Sequence, residues 1–235
     1  MKFELAGQGD NLLHVNLERG EQISCESNSM VMMEGNLDLQ GEVKGGFWSA
    51  LGRKLANGES FFTQSIKATR GSGEALLAPV LPGDIHILEC GNGIQYSLND
   101  GVFLACDHRI QIKARMQSIG RALFAGSGGF FVGETEGSGK LAVSGFGSVF
   151  ELGIDTPHDN PVIIDNTHVV AWDRNLRYDL ALNTNKSKRG FLSSVVNSAI
   201  SGEGIVLKFS GKGKVVICSR NHSDFLGWIG SQNAK

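Results

Sequence analysis

The chain has 235 residues, and 22 Lys and Arg against 24 Asp and Glu give a formal net charge of -2, which excludes the bulk attraction to nucleic acid or anionic lipid that a basic protein shows. Glycine, at 32 residues, is well above the usual share of roughly 7 percent, while proline, at 4, is scarce. Without collagen periodicity these glycines read as turns and bulges between many short strands, and four cysteines (Cys25, Cys90, Cys106, Cys218) with no C-x-x-C pair exclude a zinc ribbon or redox dithiol.

The first residues, "MKFELAGQGDNLLHVNLERG", lack the apolar run of a signal peptide, and no later stretch reaches the roughly 18 apolar residues of a membrane span. A cytoplasmic protein without a transmembrane segment is expected, its cysteines isolated buried thiols in a reducing compartment. Next, "GEQISCESNSMVMMEGNLDLQG" reads as two strands flanking a polar tight turn, "ESNS". Phe47, Trp48, Leu51 and Leu55 have helical spacing, and "FFTQSIKAT" returns to strand alternation before the glycine phrase "GSGEALLA" at Gly71.

The same order recurs twice. "GVFLACDHRIQIKARMQ" places strands around "CDHR", Met116, Ile119 and Leu123 suggest a second short helix, and "GSGKLAVS" begins at Gly137. "NPVIIDNTHVVAWDRNLRYDLALN" places strands around "IDNTH", Phe191, Leu192, Val195, Val196 and Ala199 suggest a third helix, and "GKGKVVIC" begins at Gly211. The polar turns and the glycine phrases both read as hairpin turns. Each helical stripe reads as packing on the sheet, although short amphipathic helices also bind lipid or a partner chain.

Such a repeat predicts a mainly β protein: antiparallel β-sandwich or double-stranded β-helix-like units repeated three times with pseudo-threefold symmetry, each with a short helix. One compact body of residues 1–235 is expected, with repeats over 10–90, 91–156 and 157–220. The tail, 221–235, lies outside them.

No chemistry-bearing pattern stands out. A Walker loop needs a Ser or Thr after its lysine and then a helix, but Lys140 precedes Leu141 and a strand. A Rossmann turn must likewise open a helix. The six histidines show no H-x-x-x-H or H-E-x-x-H spacing, and Asp155, His158 and Asp159 in "DTPHDNP" read as a solvated linker. There is no G-x-S-x-G elbow. Glu134 and Glu136 alternate on one strand face and read as a solvent-facing edge. Lys208, Lys212 and Lys214 could contact phosphates, but their neighbour Phe209 falls on the face opposite Lys208.

"GRKLANGESFF", followed by "GSGEALLAPVLPGDIHILE", resembles the hallmark of the altered-inheritance-of-mitochondria, or mitochondrial biogenesis, family, in its bacterial members. That resemblance implies a fold of the tryptophan RNA-binding attenuation protein type, repeated with pseudo-threefold symmetry. Eukaryotic relatives are linked to organisation of the mitochondrial inner membrane. The absence of a presequence here keeps that role from being carried over. Pro82, Gly83 and Asp84 have no counterpart in the other two copies, and a tight turn entering "IHILE" accounts for them.

Three classes of function follow. The preferred one is a non-enzymatic scaffold or binding protein that acts through protein–protein contacts and self-assembly, as a homo-oligomer or with another protein. A peripheral membrane-associated organiser is its variant, and an RNA- or small-ligand-binding module its alternative. An enzyme is the third class, and no catalytic residue, cofactor or metal ligand is assigned. The candidate interaction surface comprises Phe47, Trp48, Arg53, Lys54, Lys212 and Lys214.

Overall fold

The computed structural model describes residues 1–7, 10–41, 64–116, 131–182 and 205–233. In chain order the strands are β1 (Lys2–Ala6), β2 (Leu12–Leu17), β3 (Gln22–Cys25), β4 (Met30–Met33), β5 (Leu37–Gly41), β6 (Gln64–Ala68), β7 (Gly73–Leu77), β8 (Ile85–Cys90) and β9 (Tyr96–Leu98). There follow β10 (Phe103–Asp107), β11 (Gln111–Met116), β12 (Phe131–Glu136), β13 (Gly139–Ser144), β14 (Val149–Thr156), β15 (Val162–Asp165), β16 (Val169–Asp173), β17 (Arg177–Leu182) and β18 (Ile205–Cys218). One helix, α1 (His222–Asn233), closes the described chain. The protein is mainly β.

Three antiparallel sheets carry these strands. Their orders are β1-β2-β7-β4, then β5-β6-β3-β10-β13-β8, then β11-β12-β9-β16-β18-β14. The first half of β18 is also flanked by β15 and β17. Alternation does what period-2 geometry requires: in β2, Leu13, Val15 and Leu17 are buried between half-exposed neighbours. β10 is buried at every position, because strands lie on both of its edges and its two faces feed different core clusters.

The glycine phrases are not hairpin turns. β6 pairs with β3 and β5, whereas β7, after the first phrase, pairs with β2 and β4. β12 and β13 around the second phrase likewise lie in different sheets. At the third the strand does not stop: β18 runs for 14 residues through Gly211, its first half pairing with β15 and β17 and its second with β14 and β16. Each phrase is a corner where the chain passes from one ladder to another.

The polar turns are corrected in the same way. Strands β3 and β4 around "ESNS", β10 and β11 around "CDHR", and β15 and β16 around "IDNTH" do not pair with each other. Local turn chemistry fixes where the chain bends, while side-chain burial decides which strand it bends toward. "IDNTH" closes as a 3-10 turn over Asn166–His168, capped by the Asp165 carboxylate, which accepts from the Thr167 amide at 2.9 Å.

The second glycine of every phrase sits over an acidic turn. A Cβ at Gly73 would stand 3.2 Å from Oε2 of Glu34, at Gly139 2.5 Å from Cβ of Asp107, and at Gly213 3.1 Å from Cβ of Asp173. These acids open matching turns, in which the amides of Leu37, Ile110 and Leu176 donate to the carbonyls of Glu34, Asp107 and Asp173 at 3.0, 2.9 and 3.0 Å. Leu37, Ile110 and Leu176 are buried.

Three core clusters result. The first gathers β2, β3, β6 and β7 around Leu13, Ile23, Ile66 and Leu77 and takes Leu104 and Ala105 from β10. A second centres on Leu98, Ile110, Ile112 and Leu141 and takes Val170 and Ala171 from β16. The third packs Trp172 against Phe209 and Tyr178, with ring centroids 5.8 and 5.0 Å apart. The expected short helices fall on residues outside those described, except that Met116 ends β11 as a strand residue.

Candidate functional site

Two linkers and the chain end converge on one concave site. Pro82, Gly83 and Asp84 lie on the linker from β7 to β8, and Gly145 to Ser148 connect β13 to β14. They meet as a parallel bridge, Gly83 to Gly147. The Asp84 amide donates to the Gly147 carbonyl at 2.8 Å, the Gly147 amide to Pro82 at 3.0 Å, and the Gly145 amide to Asp84 at 3.1 Å. Only glycine permits this approach, since a Cβ at Gly83 would run into the Gly145 carbonyl oxygen. In place of the expected tight turn, Pro82–Asp84 forms a bend whose backbone groups bond to the other linker.

The end of β18 supplies the third wall. The Ser219 amide donates to the Ser148 carbonyl at 2.9 Å, the Ser148 amide returns a bond to Ser219 Oγ at 2.9 Å, and the Arg220 amide donates to Phe146 at 3.1 Å. Asn221 then caps α1, its side-chain oxygen accepting from the Asp224 amide at 3.3 Å. Phe225 rests against Phe146 with ring centroids 5.1 Å apart. A cavity of about 470 Å³ lies between these walls, lined also by Asp10, Pro82, Asp84 and Arg220. Its size suits a small ligand.

The lining offers one guanidinium, two carboxylates and several backbone amides already committed to carbonyls. Asp84 accepts from Asn11 Nδ2 at 3.3 Å. Ser219 Oγ accepts from an amide, and His222 meets Phe146 edge-on at 6.3 Å. That chemistry can hold a small polar group, and the serine–histidine contact of His158 Nδ1 with Ser210 Oγ, at 3.4 Å, lies outside this lining.

Lys212 and Lys214 lie two residues apart on β18, opposite Asp155 and Gly153 of β14. Lys214 pairs with Glu151 at 2.8 Å and Lys212 reaches Asp155 at 3.9 Å. The Lys214 hydrogen bond holds the Glu151 carboxyl below its ordinary value against the effect of burial. This face alternates in sign, each lysine lying beside a carboxylate. Phe209 is buried in the third core cluster, away from Lys208. Phe47, Trp48, Arg53 and Lys54 lie outside the described residues.

The acidic pair on β12 is corrected. Because β12 lies between β11 and β9, Glu134 is on an interior strand, held by Arg115 at 2.8 Å and Arg174 at 3.1 Å, while Glu136 pairs with Lys113 at 2.6 Å. All four cysteines are free and buried, and burial raises every one of these thiols, that of Cys25 to about 11. Their burial makes them packing residues in surroundings that disfavour the thiolate. Among the described residues no three His, Cys, Asp or Glu side chains converge as metal ligands, and no helix is long and apolar enough to cross a membrane.

Sequence reasoning missed α1 and the pocket it walls. The signal was present in "NHSDFLGWIG", with Asn221 as cap and Phe225, Leu226, Trp228 and Ile229 at i, i+1, i+3 and i+4. The pocket itself needed the two linkers to meet, and nothing in either segment announces the other.

The family model described as "Mitochondrial biogenesis AIM24" matches residues 3–220. An uncharacterized protein of Streptococcus pyogenes serotype M6 is 40% identical over 225 residues, which is 93% of this chain and 85% of that protein. A crystal structure of a Streptococcus pyogenes protein superposes with a TM-score of 0.78 at 36% identity, covering 98% of this chain and 99% of the other. The match thus spans the sheets, the linker junction and the end of β18, and the chain belongs to the mitochondrial biogenesis AIM24 family.

Proposed function

We propose that this protein is a non-enzymatic scaffold of the cytoplasm that acts through protein–protein contacts and self-assembly, built from three copies of one six-stranded unit. The observation carrying this reading is the pattern of ladder partners. β7 lies between β2 and β4, β13 between β8 and β10, and the second half of β18 between β14 and β16. β6 lies between β5 and β3, β12 between β11 and β9, and the first half of β18 between β17 and β15. On this reading the units are β2–β7, β8–β13 and β14–β18, each a double-stranded β-helix-like body of the tryptophan RNA-binding attenuation protein type, and β8 and β14 leave the repeats expected over 10–90 and 91–156 for the second and third units. The unit boundaries fall within the two linkers that dock on each other.

A repeated body presents repeated surfaces, and large apolar side chains stand exposed on it: Val31, Met32 and Ile163 on strands, Leu226 and Trp228 on α1. Sedimentation velocity on the full chain from low micromolar concentration upward tests the reading. Assemblies heavier than the 25.2 kDa chain are expected. A monomer at every concentration would remove self-assembly.

The pocket beside Arg220 supports a second reading, a small-ligand-binding module. A thermal-shift screen of small carboxylates and phosphates against the wild type and Arg220→Ala separates it from the scaffold. A ligand whose stabilisation vanishes in the variant is the expected sign of a binding module.

A further inference from the structure

The proposed units are joined twice within the chain, and the two junctions agree position by position. At the first, β3 and β10 run antiparallel with Ile23 opposite Asp107, Ser24 opposite Cys106 and Cys25 opposite Ala105. At the second, β9 and β16 set Tyr96 opposite Asp173, Ser97 opposite Trp172 and Leu98 opposite Ala171. Beyond each ladder one more amide crosses, from Glu26 to the Leu104 carbonyl and from Asn99 to the Val170 carbonyl, both at 2.9 Å.

Two strands are left over. β15 holds the place of β3 and β9, and β4 the place of β10 and β16, yet neither has a strand on its outer edge among the described residues. The bulges fix the correspondence. β4 breaks register on β7 between Met30 and Met32, as β10 does on β13 between Phe103 and Ala105, and β16 on β18 between Val169 and Ala171. Val31 therefore stands where Leu104 and Val170 stand, and Met32 where Ala105 and Ala171 stand.

Exposure separates these equivalents sharply. Leu104, Val170, Ala105 and Ala171 are at most 1% exposed, whereas Val31 is 57% and Met32 39% exposed. On β15, Ile163 is 57% exposed, and its counterparts Ser24 and Ser97 are 9% and 4% exposed. A solvated edge ordinarily carries lysine, proline or an inward charge. These two edges carry Val, Met and Ile at the positions that the internal junctions bury.

We propose that β15 of one copy pairs antiparallel with β4 of a second copy, with Val162 opposite Glu34, Ile163 opposite Met33 and Ile164 opposite Met32. The contact repeats between chains the junction that the chain makes twice within itself. It names the surface for the self-assembly reading and rests on that reading. The partner is a second copy because the third core cluster takes no residue from β1–β7, while the first and second are each completed by the following unit. Each copy carries one edge of each kind, so the assembly is head-to-tail and grows into a ring or a filament.

Two edge variants and their mixture decide the matter by sedimentation velocity. Ile163→Lys spoils β15 and keeps β4, and Met32→Lys spoils β4 and keeps β15; both sites are exposed, so folding is retained and circular dichroism checks it. The wild type is expected to form large species and each variant alone to sediment as one chain. An equal mixture is expected to stop at a dimer, because it holds one intact edge of each kind. In a second arm, oxidising the double variant Met32→Cys, Ile164→Cys is expected to give a ladder of chain multimers on a non-reducing gel, absent from either single variant.

A wild type that assembles while both variants assemble equally would overturn this interface and leave the scaffold reading standing. A wild type that stays monomeric, with no ladder from the double cysteine variant, would overturn both.

Discussion

Gly139 lies so close to Asp107 that a Cβ on the glycine would stand 2.5 Å from the aspartate Cβ, and its φ of +138° is one that other residues adopt only under strain. The corner between β12 and β13 thus exists because the second glycine of the phrase has no side chain. Gly139→Ala is expected to destabilise the protein by about 1–3 kcal/mol, the usual cost of overpacking a filled site. Gly153→Ala, where nothing lies within 4 Å, is the matched control and is expected to be near neutral. Urea unfolding of the three proteins measures both values, and an unchanged midpoint for Gly139→Ala would remove the packing account of the phrase.

The aspartate beneath that glycine is held from its other side. Burial alone would raise the Asp107 carboxyl, but the Arg109 side chain donates to Oδ1 at 3.0 Å and Oδ2 at 2.6 Å, and its amide to Oδ1 at 3.0 Å. The net effect keeps the acid below its ordinary value. Arg109→Ala leaves a buried carboxylate with one amide and the His108 ring, 3.4 Å from Oδ1, and a loss of about 1–3 kcal/mol is expected at neutral pH. The stability from this lowered carboxyl is present above the unfolded aspartate value of about 3.9 and lost as pH falls through the folded value. Acidification below about pH 4 should therefore narrow the gap between wild type and variant, as an unfolding series from pH 7 to pH 2.5 would show.

How far the sequence reached is clear at these residues. Its glycine periodicity and strand alternation disclosed a mainly β chain, and Phe209 fell on the buried face as alternation requires. The sequence did not disclose pairing. "GSG" looks like a hairpin turn because a turn and a corner use the same glycines, and the difference lies in which distant strand receives Leu141 or Ala75. The acidic pair misled for a related reason: β12 is interior, and two arginines from distant segments turn Glu134 from a solvated edge residue into a fastened one. Of the site, "PGDI" was visible as an unusual string, but its partner "GFG" carries no mark of the meeting.

Glu26 sits at the end of the β3–β10 ladder, half-buried, and burial pushes its carboxyl up to about 7. The unfolded chain releases this proton near pH 4.3, so the stability it brings is full below that value and is lost as pH rises through about 7. The wild type should accordingly lose stability between pH 5 and pH 8 by more than Glu26→Gln does. The difference is on the order of 1 kcal/mol once the partial exposure of the group is discounted. Parallel pH profiles for the two proteins would disprove the assignment.

The helix α1 leans on the linker between β13 and β14 through Phe225, whose ring packs on Phe146 at 5.1 Å, while Leu226 and Trp228 remain exposed. A 12-residue helix is marginal in water without such a contact. Phe225→Ala removes an aromatic pair worth about 0.5–1.5 kcal/mol beyond its area and leaves the ladders intact. Amide exchange over residues 222–233 is expected to quicken by about tenfold or more, with the urea midpoint of the β core nearly unchanged, since opening of α1 is a local event. If the core midpoint fell together with helix protection, α1 would be part of the cooperative core, and the cavity wall it forms would be as fixed as the sheets behind it.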